Sequence, residues 1–115
     1  MVACTATLNT LAADYAALGT FVGLATGTPG ATTTPANEAT GGSPAYARVA
    51  TTWSPGTTGV QTGTAVTINV AAGTYTFMIL CSAGSGTNQI DNCAITSVVM
   101  SAQGQIVVTP TYTQT

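Results

Sequence analysis

The sequence contains no histidine and no lysine, and its only charged side chains are those of Asp14, Glu38, Arg48 and Asp91. A serine nucleophile with a histidine or lysine base is therefore excluded. A reactive cysteine would need a neighbouring base or cation, and Arg48 is the only cationic side chain. The three carboxylates lie far apart in the sequence and do not predict an acid–base pair. These absences predict a non-enzymatic structural protein.

The same scarcity bears on partners and ligands. One arginine cannot build the basic surface that displaces counterions from nucleic acid, so we expect no direct nucleic-acid binding. No run approaches the roughly 20 apolar residues that cross a bilayer, so we expect no membrane partner. Closely spaced zinc ligands, calcium-loop carboxylates and a phosphate-binding glycine loop are missing. We therefore expect no metal, no cofactor and no small-molecule substrate.

The three cysteines, Cys4, Cys81 and Cys93, do not make an even disulfide framework. Cys81 and Cys93 could pair across a hairpin, but free thiols are favoured for a protein of the cytoplasm. The segment Met1–Cys4 lacks the basic and apolar regions of a secretory signal, so we expect the protein to remain in the cytoplasm where it is made.

A short helix is predicted near the N-terminus, because apolar residues recur there at three- and four-residue steps: Leu8, Leu11, Tyr15 and Leu18. Thr7 or Asn9 would cap its start, and Gly19 stands where a C′ glycine would end it. The helix could pack on its own sheet, which is favoured, or dock on a neighbouring subunit.

The rest of the chain reads as short strands separated by turn residues, and its 25 threonines suit pleated surfaces. The expected strands are residues 20–26, 45–53, 65–71, 74–81, 90–100 (one strand or two) and 105–109. Residues 77–80 are apolar on both faces, which predicts a central strand. Residues 54–63 are expected to form a loop.

The fold class is therefore mainly β, with a short N-terminal helix followed by an antiparallel β-sandwich or small barrel of about seven strands. We expect a single domain over residues 1–115. It comprises an N-terminal arm and helix (1–19), the β-sandwich (20–110) and a C-terminal tail (111–115) that either frays or adds to a neighbour's sheet.

One charged pair stands out. Glu38 and Arg48 lie ten residues apart, on either side of the segment Gly41–Pro44. With so few charges available, each is the expected partner of the other. An ion pair between them would hold the long polar loop expected at residues 31–44 against the second expected strand, 45–53. The alternative is two solvated side chains that contribute little to stability.

The segment around this pair resembles a motif of small tailed-bacteriophage virion proteins. Residues 36–48 read Ala-Asn-Glu-Ala-Thr-Gly-Gly-Ser-Pro-Ala-Tyr-Ala-Arg, and that family shows Asn-Glu, then Gly-Gly, then Tyr-Ala-Arg. Residues 21–30 are similar to the family's Leu-His-Thr-x-x-Pro-Gly segment, with Ala25 where histidine is common. The C-terminal turn at Ser82–Gly86 and a last strand after Gly104 extend the resemblance over most of residues 8–110.

The resemblance implies a structural role in the virion and no catalysis. The matching residues are expected to determine the fold and not to contact a ligand: Asn37, Glu38, Gly41, Gly42, Tyr46 and Arg48. The two glycines would adopt backbone angles that other residues disfavour, and Tyr46 would bury its ring while its hydroxyl makes a hydrogen bond.

Three functions follow as hypotheses. The first is a capsid decoration or minor capsid protein, made in the host bacterial cytoplasm and located on the capsid surface of the virion. Its expected partners are the major capsid protein and copies of itself, a trimer being one arrangement. The second is a tail or tail-fibre-associated structural protein. The third is a small carbohydrate-binding module, for which the available aromatic residues are Tyr46, Trp53, Tyr75 and Tyr112.

Overall fold

Segments rich in threonine and β-branched residues form nine strands after one helix in the computed structural model, which describes all residues 1–115. The fold is mainly β, with 43% strand and 12% helix, and resembles a small β-sandwich. The elements are α1 (Thr5–Leu18), β1 (Phe21–Ala25), β2 (Val49–Ala50), β3 (Trp53–Pro55), β4 (Val60–Gly63), β5 (Val66–Val70), β6 (Gly73–Cys81), β7 (Gln89–Met100), β8 (Gly104–Val108) and β9 (Thr111–Thr113).

The strands form three antiparallel sheets. The largest has the order β2-β1-β6-β7, and the others have the orders β3-β4-β9 and β5-β8. Strand β6 lies between β1 and β7, which confirms the central position predicted from the apolar run at residues 77–80. Its pairing with β7 shifts register twice, between Tyr75 and Phe77 and between Leu80 and Cys81.

The main core lies where the β5–β8 ribbon packs on the largest sheet. Strand β5 alternates as its sequence predicts, and Val66, Ile68 and Val70 are all buried. They join a cluster that also contains Val22, Leu24, Ala39, Tyr75, Leu80 and Ile106. A smaller cluster of Ala25, Ile79 and Cys81 lies beside it. The long loop before β2 therefore contributes Ala39 to the core.

Helix α1 packs on its own protein, mainly against β3 and β4. Its buried residue is Ala12, whereas Leu11 and Leu18 are 43% and 57% exposed, so the predicted apolar face is only partly the packed one. The predicted caps are wrong. Cys4 occupies the N-cap without a side-chain hydrogen bond, and the Asn9 side chain accepts a hydrogen bond from the Gly59 amide instead (2.7 Å).

Gly19 ends the helix in an extended conformation and not in the left-handed one expected of a C′ glycine. Glycine is required at this position because there is no room for a side chain. A Cβ at this position would lie 2.5 Å from the Cys81 carbonyl oxygen and 2.5 Å from Ile90 Cδ1. The Gly19 carbonyl also accepts a hydrogen bond from the Trp53 indole (2.9 Å), so the end of the helix is joined to β3.

From residue 45 onward, the strands depart from prediction in three places. Residues 45–53 do not form one strand, because 45–48 are irregular and β2 contains only two residues. Residues 54–63, expected to be a loop, contain the end of β3 and all of β4. The segment Thr111–Thr113 neither frays nor requires a neighbour, because it pairs with β4 as β9.

All three cysteines are free thiols, so the alternative of a Cys81–Cys93 disulfide is not formed. Across the β6–β7 pair, Cys81 faces Gln89 and Cys93 faces Met78. The single helix, α1, is too short to cross a membrane.

Candidate functional site

The outer edge of β1 organises the residues that resemble the phage motif. Strand β2 covers the first half of this edge through the pairs Phe21–Ala50 and Val22–Val49. The loop segment 37–39 covers the second half, because the Ala39 amide donates to the Leu24 carbonyl (2.9 Å) and the Thr26 amide to the Asn37 carbonyl (3.0 Å). Glu38 and Arg48 flank the gap between these two segments.

The expected ion pair between Glu38 and Arg48 is present and is largely buried. Arg48 Nε lies 2.7 Å from Glu38 Oε2, and Nη2 lies 2.8 Å from Oε1, so the pair is bidentate. The exposed fractions of the two side chains are 3% for Arg48 and 20% for Glu38. Hydrogen bonding to Glu38 raises the pKa of Arg48 above its ordinary value, while burial opposes this.

Arg48 uses all five of its N–H donors inside the chain. Besides the two bonds to Glu38, Nη1 donates to the Ala83 carbonyl (3.0 Å) and to Asn88 Oδ1 (2.9 Å), and Nη2 donates to the Gly86 carbonyl (3.0 Å). A guanidinium has no further donors. The side chain therefore joins the loop before β2 to the β6–β7 turn, and no donor remains for a ligand.

Tyr46 fills the gap in the β1 edge. Its hydroxyl accepts a hydrogen bond from the Leu24 amide (3.1 Å) and donates one to Glu38 Oε2 (2.9 Å). The hydroxyl thus satisfies a strand amide that a neighbouring backbone carbonyl would otherwise satisfy. Gly23 permits this approach, because a Cβ there would overlap the Tyr46 hydroxyl oxygen. Burial is the main reason that the pKa of Tyr46 is raised.

The remaining motif residues shape the loop. Gly41 and Gly42 have φ angles of 80° and 94°, as expected for positions that favour glycine. Asn37 also has a positive φ of 59°, which asparagine tolerates better than most residues. Its side-chain amide donates to the Thr28 carbonyl (3.1 Å). The Gly41 carbonyl accepts from the Tyr46 amide (2.8 Å), which closes the turn.

Three residues outside the motif complete the site and were missed from the sequence. Gln103, in the β7–β8 turn, accepts from the Ser43 amide (3.0 Å) and donates to the Pro44 carbonyl (3.1 Å). Asn88 binds Arg48, and buried Gln89 donates to the Thr32 carbonyl (2.7 Å). Each of these amide side chains lies 40 or more residues from the loop residue that it binds. No local sequence pattern therefore indicates them.

Cys81 lies near enough to Arg48 for the guanidinium to lower the pKa of its thiol. Their spacing in the sequence does not predict this proximity. Burial has the larger and opposite effect, and it raises the pKa of the Cys81 thiol from 9.0 to about 11. A nucleophilic cysteine requires a depressed pKa. Near neutral pH, Cys81 is therefore a protonated core residue.

Stability is expected to fall as the pH rises above about 9. The unfolded chain releases the Cys81 proton near pH 9.0, whereas the folded chain holds it to about 11, so in this window the unfolded state binds fewer protons. Below this window both states hold the proton, and the contribution does not vary with pH. Tyr46 acts with the same sign above its ordinary pKa of 10.0.

Urea unfolding under reducing conditions, from about pH 7 to about pH 11, measures this dependence. The variant Cys81→Ala should reduce the slope in the lower part of the alkaline range. A free energy of unfolding that stays constant up to about pH 11, or an unchanged slope in the variant, would contradict the assignment.

The arrangement holds the loop before β2 and the β6–β7 turn together. A surface hollow of about 370 Å³ borders Glu38, Tyr46, Arg48 and the 84–86 turn. Every buried side-chain nitrogen or oxygen has a hydrogen-bond partner within the protein. His, Cys, Asp and Glu side chains do not gather anywhere in groups of three or more.

Comparisons with protein-family models, curated proteins and solved structures find no match to the chain.

Proposed function

We propose that this chain is a non-enzymatic structural protein of a tailed-bacteriophage virion, and that it decorates and reinforces the capsid shell in many copies. The observation that carries the proposal is the character of its surface. Of the four charged side chains, Glu38 and Arg48 neutralise each other in a largely buried ion pair. This leaves Asp14 and Asp91 as the two exposed, unpaired charged side chains on a surface of 6024 Å².

The exposed surface also contains aliphatic side chains on three elements. Leu11 and Leu18 lie on α1, Val99 on β7 and Val107 on β8, and the two valines are 72% and 62% exposed. Such a surface can pack against neighbours without desolvating ions, which is costly. It is poorly suited to a free monomer at high concentration, because a well-charged surface is what keeps small domains soluble.

The resemblance of residues 36–48 to small phage virion proteins supports the choice of assembly. Within this fold those residues hold one another and the neighbouring turns, as fold determinants would. The principal dimensions of 48 × 25 × 22 Å suit a small surface clamp bound to a shell. The major capsid protein and further copies of the chain are the proposed partners.

The number of copies per purified particle tests the proposal. A decoration protein should be present in hundreds of copies, in a fixed ratio to the major capsid protein. A handful of copies per particle would overturn the capsid assignment and favour the tail or tail fibre. Electron microscopy of the same particles should then show density of this size on the shell and not on the tail.

A further inference from the structure

A second site lies away from the Glu38–Arg48 network, where three aromatic side chains meet one carboxylate. Tyr15 of α1 stacks on Tyr112 of β9, with ring centroids 3.5 Å apart and planes at 8°. Tyr15 also meets Trp53 of β3 edge to face, at 6.3 Å and 74°. The Tyr15 hydroxyl donates to Asp91 Oδ2 (2.9 Å). These four residues are called the aromatic–Asp91 site below.

A cavity of about 80 Å³ opens between them, with Met78 and Pro110 also in its wall. Sites that enclose a whole small-molecule ligand usually measure about 300–1,000 Å³. The cavity is therefore the size of a side-chain head group. Aromatic rings beside a carboxylate attract cations, because the ring face and the carboxylate are both negative.

Asp91 has no cationic partner in the chain. Its second oxygen, Oδ1, accepts from the Asn92 amide (2.8 Å), and neither neutral donor cancels its charge. Arg48 is the only basic side chain of the protein, and all its donors are used at Glu38, Ala83, Gly86 and Asn88. A second copy of the chain could not supply a basic side chain for the same reason.

We propose that the aromatic–Asp91 site binds a basic side chain, arginine or lysine, of a different protein. Charge complementarity selects this occupant, and the size of the cavity limits it to one side-chain head. Because Asp91 is exposed, the attraction of a single free head group is modest, and the site acts as one anchor within a larger interface. The proposal does not depend on which assembly contains the partner.

Titration with Nα-acetyl-L-arginine methylamide tests the site in the intact protein. Trp53 is the only tryptophan, so its fluorescence and its indole N–H resonance report directly on the cavity. We expect a saturable change with the arginine probe and a much weaker one with the citrulline analogue, which has nearly the same shape without the charge. The variant Asp91→Asn should weaken arginine binding about threefold or more, which corresponds to the loss of one partly exposed ion pair.

Asp14→Asn is the matched control, because Asp14 is the other exposed carboxylate and lies on the same helix as Tyr15. It should leave binding unchanged, and urea unfolding should show that both variants are folded. Equal responses to the arginine and citrulline probes, or equal weakening by the two variants, would overturn the proposal. Saturable binding of a neutral monosaccharide in place of the arginine probe would overturn it as well.

Discussion

Replacing Arg48 by methionine is expected to lower the free energy of unfolding by about 3–5 kcal/mol, the range found when one partner of a buried ion pair is removed. The Glu38 carboxylate, only 20% exposed, would lose its cation and two hydrogen bonds. The carbonyls of Ala83 and Gly86 would lose their donor as well. Urea unfolding followed by Trp53 fluorescence measures the change.

Two further variants separate charge from geometry at this position. Arg48→Lys keeps the charge but has three donors in place of a planar set of five, so it should recover only part of the loss. The double variant Glu38→Gln/Arg48→Met removes both charges and should be less destabilised than the sum of the single changes. Asp14→Asn, an exposed carboxylate, should stay within about 0.5 kcal/mol of the native protein. An Arg48→Met loss no larger than that control would refute the structural role.

Replacing Gly23 by alanine is expected to destabilise the protein by about 3 kcal/mol, at the upper end of what overpacking costs. The new methyl group would overlap the Tyr46 hydroxyl and would lie 3.0 Å from Ile79 Cγ1. Tyr46 would then have to move. Its hydroxyl would lose the hydrogen bonds to the Leu24 amide and to Glu38. Chemical unfolding measures this loss as well.

A double-mutant cycle tests the cause. Tyr46→Phe alone should be destabilising, because it leaves the buried Leu24 amide without an acceptor. In the Gly23→Ala/Tyr46→Phe double variant the overlap is relieved, so the combined loss should be smaller than the sum by about 1 kcal/mol or more. Gly84→Ala is the matched control, because a Cβ there would be 3.4 Å from its nearest neighbour. Strict additivity in the cycle would show that Tyr46 is not the obstacle.

The parts of the fold that follow local patterns could be predicted from the sequence. Strand β5 alternates cleanly, and the apolar run at residues 77–80 indicates a central strand. The Glu38–Arg48 pair could be predicted because Glu38 lies ten residues from Arg48, whereas the other two carboxylates lie far from it in the sequence. Gly41 and Gly42 have the positive φ angles that their residue type suggests.

The remainder depends on tertiary contacts that leave no local signal. Gly19 resembles a helix-ending glycine, yet its role is to admit Cys81 and Ile90 from distant strands. Residues 60–63 look like part of a loop, and they form a strand because β3 and β9 pair on either side. Gln103 lies about 60 residues from the loop it binds. Spacing along the chain cannot indicate such partners.

The burial of the only arginine also determines how the protein can be detected. Trypsin cleaves after arginine or lysine, because its specificity pocket contains an aspartate. The chain therefore has a single tryptic site, after Arg48, and in the folded protein that side chain is 3% exposed. Cleavage into residues 1–48 and 49–115 should require unfolding, so a brief trypsin pulse would report the unfolded fraction directly.

The same property affects the proposed count of copies per purified particle. Anionic protein stains bind basic side chains, and peptide-based mass spectrometry depends on frequent tryptic sites, so both methods would under-represent a chain with one arginine and no lysine. Intact mass measurement, or the ultraviolet absorbance of its one tryptophan and four tyrosines, avoids that bias. A protein abundant on a particle could otherwise pass for a minor component.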